Sequence, residues 1–213
     1  MEATEQREVS LFNRVDFRGI GRLILSQGEK RSVTVTASEV VLPHVRTEVR
    51  DGVLIVSFRW WPGMLFRIAE MKTLEVQLIV EELAGLKVSG AGVVQSREKI
   101  QVKEMDIRLT GAGEISLELQ GRRIRTRLTG AGSIVLWGEA EEQEIHLTGA
   151  GSIQAENLVT RGVRVRTSGV GECRVHATET LDARLSGAGS IRYRGNPKIQ
   201  SRMTGLGTLA TMD

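Results

Sequence analysis

What this 213-residue chain has little of narrows its chemistry first: one cysteine, three histidines, three prolines and only 4% aromatic residues. The lone Cys173 excludes an internal disulfide framework. His44, His146 and His176 stand in unrelated contexts, so no Cys/His cluster has zinc-ligand spacing, and no cofactor is called for. No run of about 18 apolar residues occurs, which excludes a membrane-spanning helix. The polar opening from Met1 to Glu8 is not an export signal, and residues 1–8 are expected to be a disordered or added tail. Neither charge sign dominates: 29 Lys and Arg against 26 Asp and Glu leave +3. That balance is compatible with anionic partners but far from a nucleic-acid-binding composition.

Glycine is what the chain has in excess, at 24 residues, and it is placed periodically. Val88-Ser-Gly-Ala-Gly92, Leu109-Thr-Gly-Ala-Gly113, Leu128-Thr-Gly-Ala-Gly132, Leu147-Thr-Gly-Ala-Gly151, Thr167-Ser-Gly-Val-Gly171, Leu185-Ser-Gly-Ala-Gly189 and Met203-Thr-Gly-Leu-Gly207 are seven copies of one unit, spaced 18 to 21 residues apart. This period is too short for helical repeats, and the unit lacks the Asn or Cys of leucine-rich repeats.

Apolar and polar residues alternate on both sides of each glycine pair, as in Ile107-Arg-Leu109 before and Ile115-Ser-Leu117-Glu-Leu119 after, so both arms are expected to be strands. Leu109, Ala112 and Ile115 fall three apart, which suggests a corner with the alanine filling a tight inward vertex. Coils joined by such corners stack into an all-β solenoid. Its expected inward ladders include Leu86, Ile107, Thr126, Ile145, Val165, Ala183 and Ser201, with Cys173 replacing an isoleucine in another. Residues 9–82 do not follow the glycine register and are expected to form N-terminal coils and a β cap; 83–213 hold the seven repeats, with 9–213 as one domain.

The glycine pairs do not continue into a dinucleotide or P-loop signature, and the units lack the aspartates of calcium-binding β-rolls. Candidate function lies instead in an outward column of one basic residue per rung: Lys87, Arg108, Arg127, Arg166, Arg184 and Arg202, with His146 in line. Such a column suits a linear polyanion, an anionic glycan or other cell-surface component. The lack of stacking aromatics disfavours nucleic acid. Its plain alternative is that long charged side chains keep the sheet soluble. Asp106, Glu144 and Asp182 alternate with Arg125 and Arg164 in the next column, an arrangement suited to cross-rung pairing more than to acid–base catalysis. Trp60 and Trp61 fall at a turn, where one exposed ring could stack on sugar or pack on the cap.

The Leu128-Thr-Gly-Ala-Gly-Ser-Ile134 unit, together with Asn13-Arg-Val-Asp-Phe17, Leu23-Ile-Leu-Ser-Gln-Gly28, Val41-Leu-Pro43, Thr47-Glu-Val-Arg-Asp-Gly52 and Tyr193-Arg-Gly-Asn-Pro197, resembles the head GIN domain family of auto-transporter adhesins over nearly the whole chain. The resemblance implies a right-handed parallel β-helix in exported or lipid-anchored bacterial proteins, hence an extracytoplasmic or envelope location. It carries over no catalytic residue. The chain departs from the family in its basic balance, its Arg59-Trp-Trp-Pro62 segment and its lack of an export signal. Three function classes follow: a non-enzymatic surface interaction protein, an enzyme acting on anionic polysaccharide, and a structural module that self-associates through its terminal rungs.

Overall fold

The computed structural model describes residues 1–59 and 73–212. Its N-terminal strands are β1 (Glu2–Gln6), β2 (Arg14–Gly19), β3 (Arg22–Gln27), β4 (Ser32–Ser38), β5 (Val45–Arg50), β6 (Val53–Phe58), β7 (Glu75–Val80), β8 (Gly85–Gly90) and β9 (Val93–Ser96). The repeats contribute β10 (Ile100–Gly111), β11 (Glu114–Gly130), β12 (Ser133–Gly149), β13 (Ser152–Gly169), β14 (Glu172–Gly187), β15 (Ser190–Arg194), β16 (Lys198–Gly205) and β17 (Thr208–Thr211). From β10 onward each strand pairs in parallel with its equivalent one repeat later, so that Leu109 aligns with Leu128, Leu128 with Leu147, and Thr167 with Leu185. This is a β-helix of stacked rungs, and one cluster of buried apolar side chains runs through it from Val15 to Ile191.

The inward ladders follow the expected register: Leu86, Ile107, Thr126, Ile145, Val165 and Ala183 are aligned and buried. Burying each leucine or isoleucine contributes roughly 1.5–3 kcal/mol, so stacked ladders are the main source of cohesion. Cys173 lies between Ile153 and Ile191 with no exposure, and its burial pushes the thiol pKa far up. It is a small apolar filler.

The corner differs from the expectation in one respect. Ala91, Ala112, Ala131, Ala150 and Ala188 are exposed, as are Val170 and Leu206; the side chain at this vertex points outward. The second glycine is the buried one in every repeat but the last. Alternation is therefore not broken at the motif: Leu128, Gly130, Gly132 and Ile134 share one parity, and the glycines occupy inward positions where the chain bends too tightly for a side chain. At Gly132 a Cβ would sit 2.6 Å from the Gly113 carbonyl oxygen and 2.8 Å from a Leu109 methyl. Interstrand hydrogen bonds continue through the bend, Ala131 N–H donating to the Gly111 carbonyl and Ser133 N–H to that of Gly113, each at 3.0 Å. The phase break falls at the opposite side of the coil, between buried Leu119 and buried Ile124.

The N-terminal region also departs from the expectation that it lies outside the glycine register. Gly19-Ile20-Gly21 is an eighth corner: Gly19 aligns with Gly90, Phe17 with Val88 and Leu23 with Val94, and Ala91 N–H donates to the Gly19 carbonyl. The chain lays down this rung, β2 and β3, before building the one outside it from β6 and β7. It then returns past β2 and β3 to place β8 and β9 on their other side.

The N-terminal end is closed by antiparallel strands. β5 covers β6 through a hairpin whose Asp51 and Gly52 both have positive φ (50° and 73°), as a two-residue Asp-Gly turn requires. On the other side β4 covers β7. Residues 1–8, expected to be a tail, instead supply β1, which pairs with β4 from Glu2–Ser38 to Gln6–Thr34 and extends through an Arg7 N–H to Val33 carbonyl bond of 2.8 Å. Between β4 and β5, Leu42–His44 form a short 3-10 turn carrying Pro43, with Val41, Leu42 and Val45 buried over the first rungs.

Candidate ligand-binding face

The strands entering each glycine corner place their outward residues in straight columns. Lys87, Arg108, Arg127, His146, Arg166, Arg184 and Arg202 are aligned rung by rung, and Asp16 of β2 heads the column. Two residues earlier on each strand runs a second column of Arg14, Gly85, Asp106, Arg125, Glu144, Arg164, Asp182 and Gln200. The two columns together hold nine Lys or Arg against four carboxylates, a larger positive excess than the +3 of the whole chain, so this face is where the positive charge is concentrated.

The carboxylates are held in ion pairs. Asp106 accepts from Arg108 at 2.6 Å and from Arg127 at 3.0 Å; Glu144 lies 3.0 Å from His146 and 3.7 Å from Arg125; Asp182 is 3.4 Å from both Arg164 and Arg184. Asp16, nearly buried, is 2.7 Å from Arg18 and 3.5 Å from Lys87. No ion pair involves Arg166 or Arg202 among the described residues, which leaves their guanidinium groups available to an external anion. A third column, Glu104, Arg123, Glu142, Gly162, Thr180 and Lys198, runs alongside. Where it lacks a side chain at Gly162, the face has an open depression of about 620 Å³ lined by Arg123, Glu142, Arg164, Asp182 and Lys198 among others.

Burial acts to raise the pKa of Asp106, but the hydrogen bonds and charges of Arg108 and Arg127 outweigh it and hold the group below the ordinary carboxylate value. Glu144 is lowered too, chiefly by its hydrogen bond to His146, against a smaller opposing effect of burial. A depressed folded-state pKa contributes stability that is present above the unfolded carboxylate range, about 3.9 for Asp, and is lost as pH falls through the folded value. Asp106→Asn is therefore expected to be less stable than the parent at pH 7, by under about 1 kcal/mol given its solvent exposure, and to match it once the parent's Asp106 is protonated. Urea unfolding of both proteins at neutral and strongly acidic pH checks this; the same gap at both pH values would show that the ion pairs do not cause it.

Asp16, Arg14 and Arg18 were missed in the sequence because the rung that carries them is separated from the repeats by more than sixty residues. Their signal was the spacing Phe17-x-Gly19-x-Gly21-x-Leu23, which matches Leu109-x-Gly111-x-Gly113-x-Ile115. Trp60 and Trp61 lie outside the described residues. Trp137, the third tryptophan, is part-buried in β12, beside Glu118 and Asn157 and away from the basic columns. Among the described residues, no helix is long and apolar enough to cross a membrane, and no group of three or more His, Cys, Asp or Glu is placed to hold a metal ion.

A β-helix that displays one charged side chain per rung in continuous columns is a repeat protein with an extended presenting face. More particularly, the chain belongs to the family described as "Putative auto-transporter adhesin, head GIN domain", which matches residues 11–197. Among solved structures, it is similar to a putative adhesin from Bacteroides fragilis at 25% identity and a TM-score of 0.93, covering 100% of this chain and 97% of that one. A putative adhesin (24% identity, TM-score 0.81) and a putative lipid binding protein (23%, 0.79), both from Parabacteroides distasonis, share the fold over 100% of this chain and 97% of theirs. A comparison with curated proteins found no match.

Proposed function

We propose that this protein is a non-enzymatic, adhesin-like interaction module of the cell envelope or surface whose basic column binds a linear anionic glycan. The observation that carries this reading is the register: six Lys or Arg side chains and one histidine lie one per rung, and Arg166 and Arg202 have no ion-pair partner among the described residues. Rungs are about 4.8 Å apart, so cations on alternate rungs repeat at about 9.6 Å, on the scale of a disaccharide unit in an extended chain. A rigid array of this kind loses little conformational freedom on binding, and its affinity falls with added salt because the contacts are exposed. Adhesin descriptions of the family and of the Bacteroides fragilis relative support the surface role. Carboxylates engaged by neighbouring arginines favour binding over polysaccharide cleavage.

The test is titration of the protein with a defined polyuronate and with a neutral polysaccharide at low and high salt. Binding to the polyuronate alone, weakened by salt and at least about tenfold weaker in Arg127→Glu/Arg166→Glu, is expected. The double variant should keep its circular dichroism spectrum, since Arg166 is exposed and Arg127 is a half-exposed residue of the outer face. Absence of polyuronate binding, or binding unchanged by the two reversals, would sink the proposal.

A further inference from the structure

The two ends of the β-helix are built differently. At the N-terminal end, antiparallel β5 and β4 pair with the outermost rung, and Val41 and Leu42 of the link between them and Val45 at the start of β5 are buried. At the C-terminal end nothing equivalent exists among the described residues. β16 pairs only with β14, and β17 only with β15, so each presents a free row of backbone N–H and C=O groups. Side chains in the inward ladders are uncovered there: Ile199 is 41% exposed and Met203 51% exposed, although their equivalents one rung earlier, Leu181 and Leu185, are 1% and 3% exposed. An open edge with apolar residues in line is a template for another strand, and a solenoid end needs a cover.

We propose that the cover is a second copy of this chain, joined through a two-fold axis that sets β16 antiparallel to β16. Self-complementarity of the strand argues for this occupant. With Ser201 opposite Ser201, Ile199 faces Met203, so apolar meets apolar along the inward side. On the outward side Lys198 faces Thr204 and Gln200 faces Arg202, so no like charges stand directly opposite even though the strand carries two cations and no acid. Head-to-tail stacking would instead place the open end on an end whose core is already covered, leaving the partner's open end exposed and the series unclosed. The two-fold pairing covers the β16 edge of both copies at once. It also runs the column that ends at Arg202 in each copy into the column that ends at Gln200 in the other, so the charged faces of two copies become continuous, which goes beyond the binding mode of a single chain.

Sedimentation equilibrium of the 213-residue chain is expected to give a dimer, and Met203→Glu a monomer with unchanged circular dichroism. Ser201→Cys supplies the second measurement. Directly opposite residues of antiparallel strands have Cα atoms about 4.5–5.5 Å apart, within disulfide reach, and native Cys173 is buried, so mild oxidation should yield a covalent dimer through position 201. A monomeric parent chain, an open series of higher oligomers, or a dimer indifferent to Met203→Glu that also fails to cross-link in Ser201→Cys would overturn the proposal. Polyuronate titration of the Met203→Glu monomer keeps the two readings apart: retained binding without dimerisation leaves the glycan reading standing and removes only this one.

Discussion

Gly130→Ala is expected to destabilise the protein by about 4 kcal/mol, while Ala131→Lys, one residue away, changes stability by less than about 0.5 kcal/mol. Gly130 has a φ of 121°, a conformation that L side chains rarely adopt, and a Cβ there would stand 2.5 Å from the carbonyl oxygen of Gly111 in the preceding rung. Backbone strain of this kind costs about 1–3 kcal/mol by itself. The clash adds to it because the obstacle is backbone, and that same carbonyl accepts the Ala131 N–H. Relieving it would spread two rungs and break ladder bonds on both sides. Ala131, by contrast, is exposed at the vertex, so a lysine there extends into solvent. Urea titration of both variants, read as a shift of midpoint at unchanged slope, gives the two numbers. Equal losses would mean that the alanine points inward after all.

That contrast marks where the sequence was legible and where it was not. Stacking, period and the Leu86-to-Ala183 ladder follow from the spacing of glycines and apolar residues, because in a parallel ladder equivalent positions must lie above one another. The direction of Ala112 could not be obtained this way. A three-residue spacing between Leu109, Ala112 and Ile115 resembles a phase break only if the small apolar residue is taken as core; a glycine carries no hydropathy signal, so Gly113 in the inward position is invisible to an apolar/polar pattern. The N-terminal rung was hidden for a different reason. Rung order in space departs from order in the chain, with β6 and β7 built after β2 and β3 but stacked outside them, so the interval from Gly19 to Gly90 no longer equals one period. As for the candidate site, the column of cations was legible as a column, since outward positions share the register of inward ones. Which cations are already engaged was not: Arg108 and Arg127 share Asp106 while Arg166 has no such partner, a distinction that depends on side-chain reach across rungs.

Gln143→Met is expected to stabilise the protein by about 2 kcal/mol. Gln143 belongs to an inward ladder that the sequence pattern did not disclose, because it begins just after the phase break opposite the glycine corner: Met105, Ile124, Gln143, Val163 and Leu181 are aligned. The side chain is 2% exposed, and neither its amide nitrogen nor its amide oxygen has a hydrogen-bond partner in the protein. A buried polar group left unsatisfied costs roughly 1–3 kcal/mol, and exchanging it for an apolar group of similar shape removes that cost without opening a cavity. Methionine is unbranched like glutamine and adapts to irregular space. Thr126→Val repeats the argument on a smaller scale, since its hydroxyl is also buried and unpaired between Ile107 and Ile145; a gain of about 1 kcal/mol is expected. The two sites are on adjacent rungs, so their effects need not add, and the double variant measures the coupling between them. Thermal and urea unfolding of the three variants settle the outcome. A loss of stability in Gln143→Met would show that the amide is satisfied in solution and that this rung uses a polar interior contact, which would in turn make Gln143 a determinant of register between Ile124 and Val163.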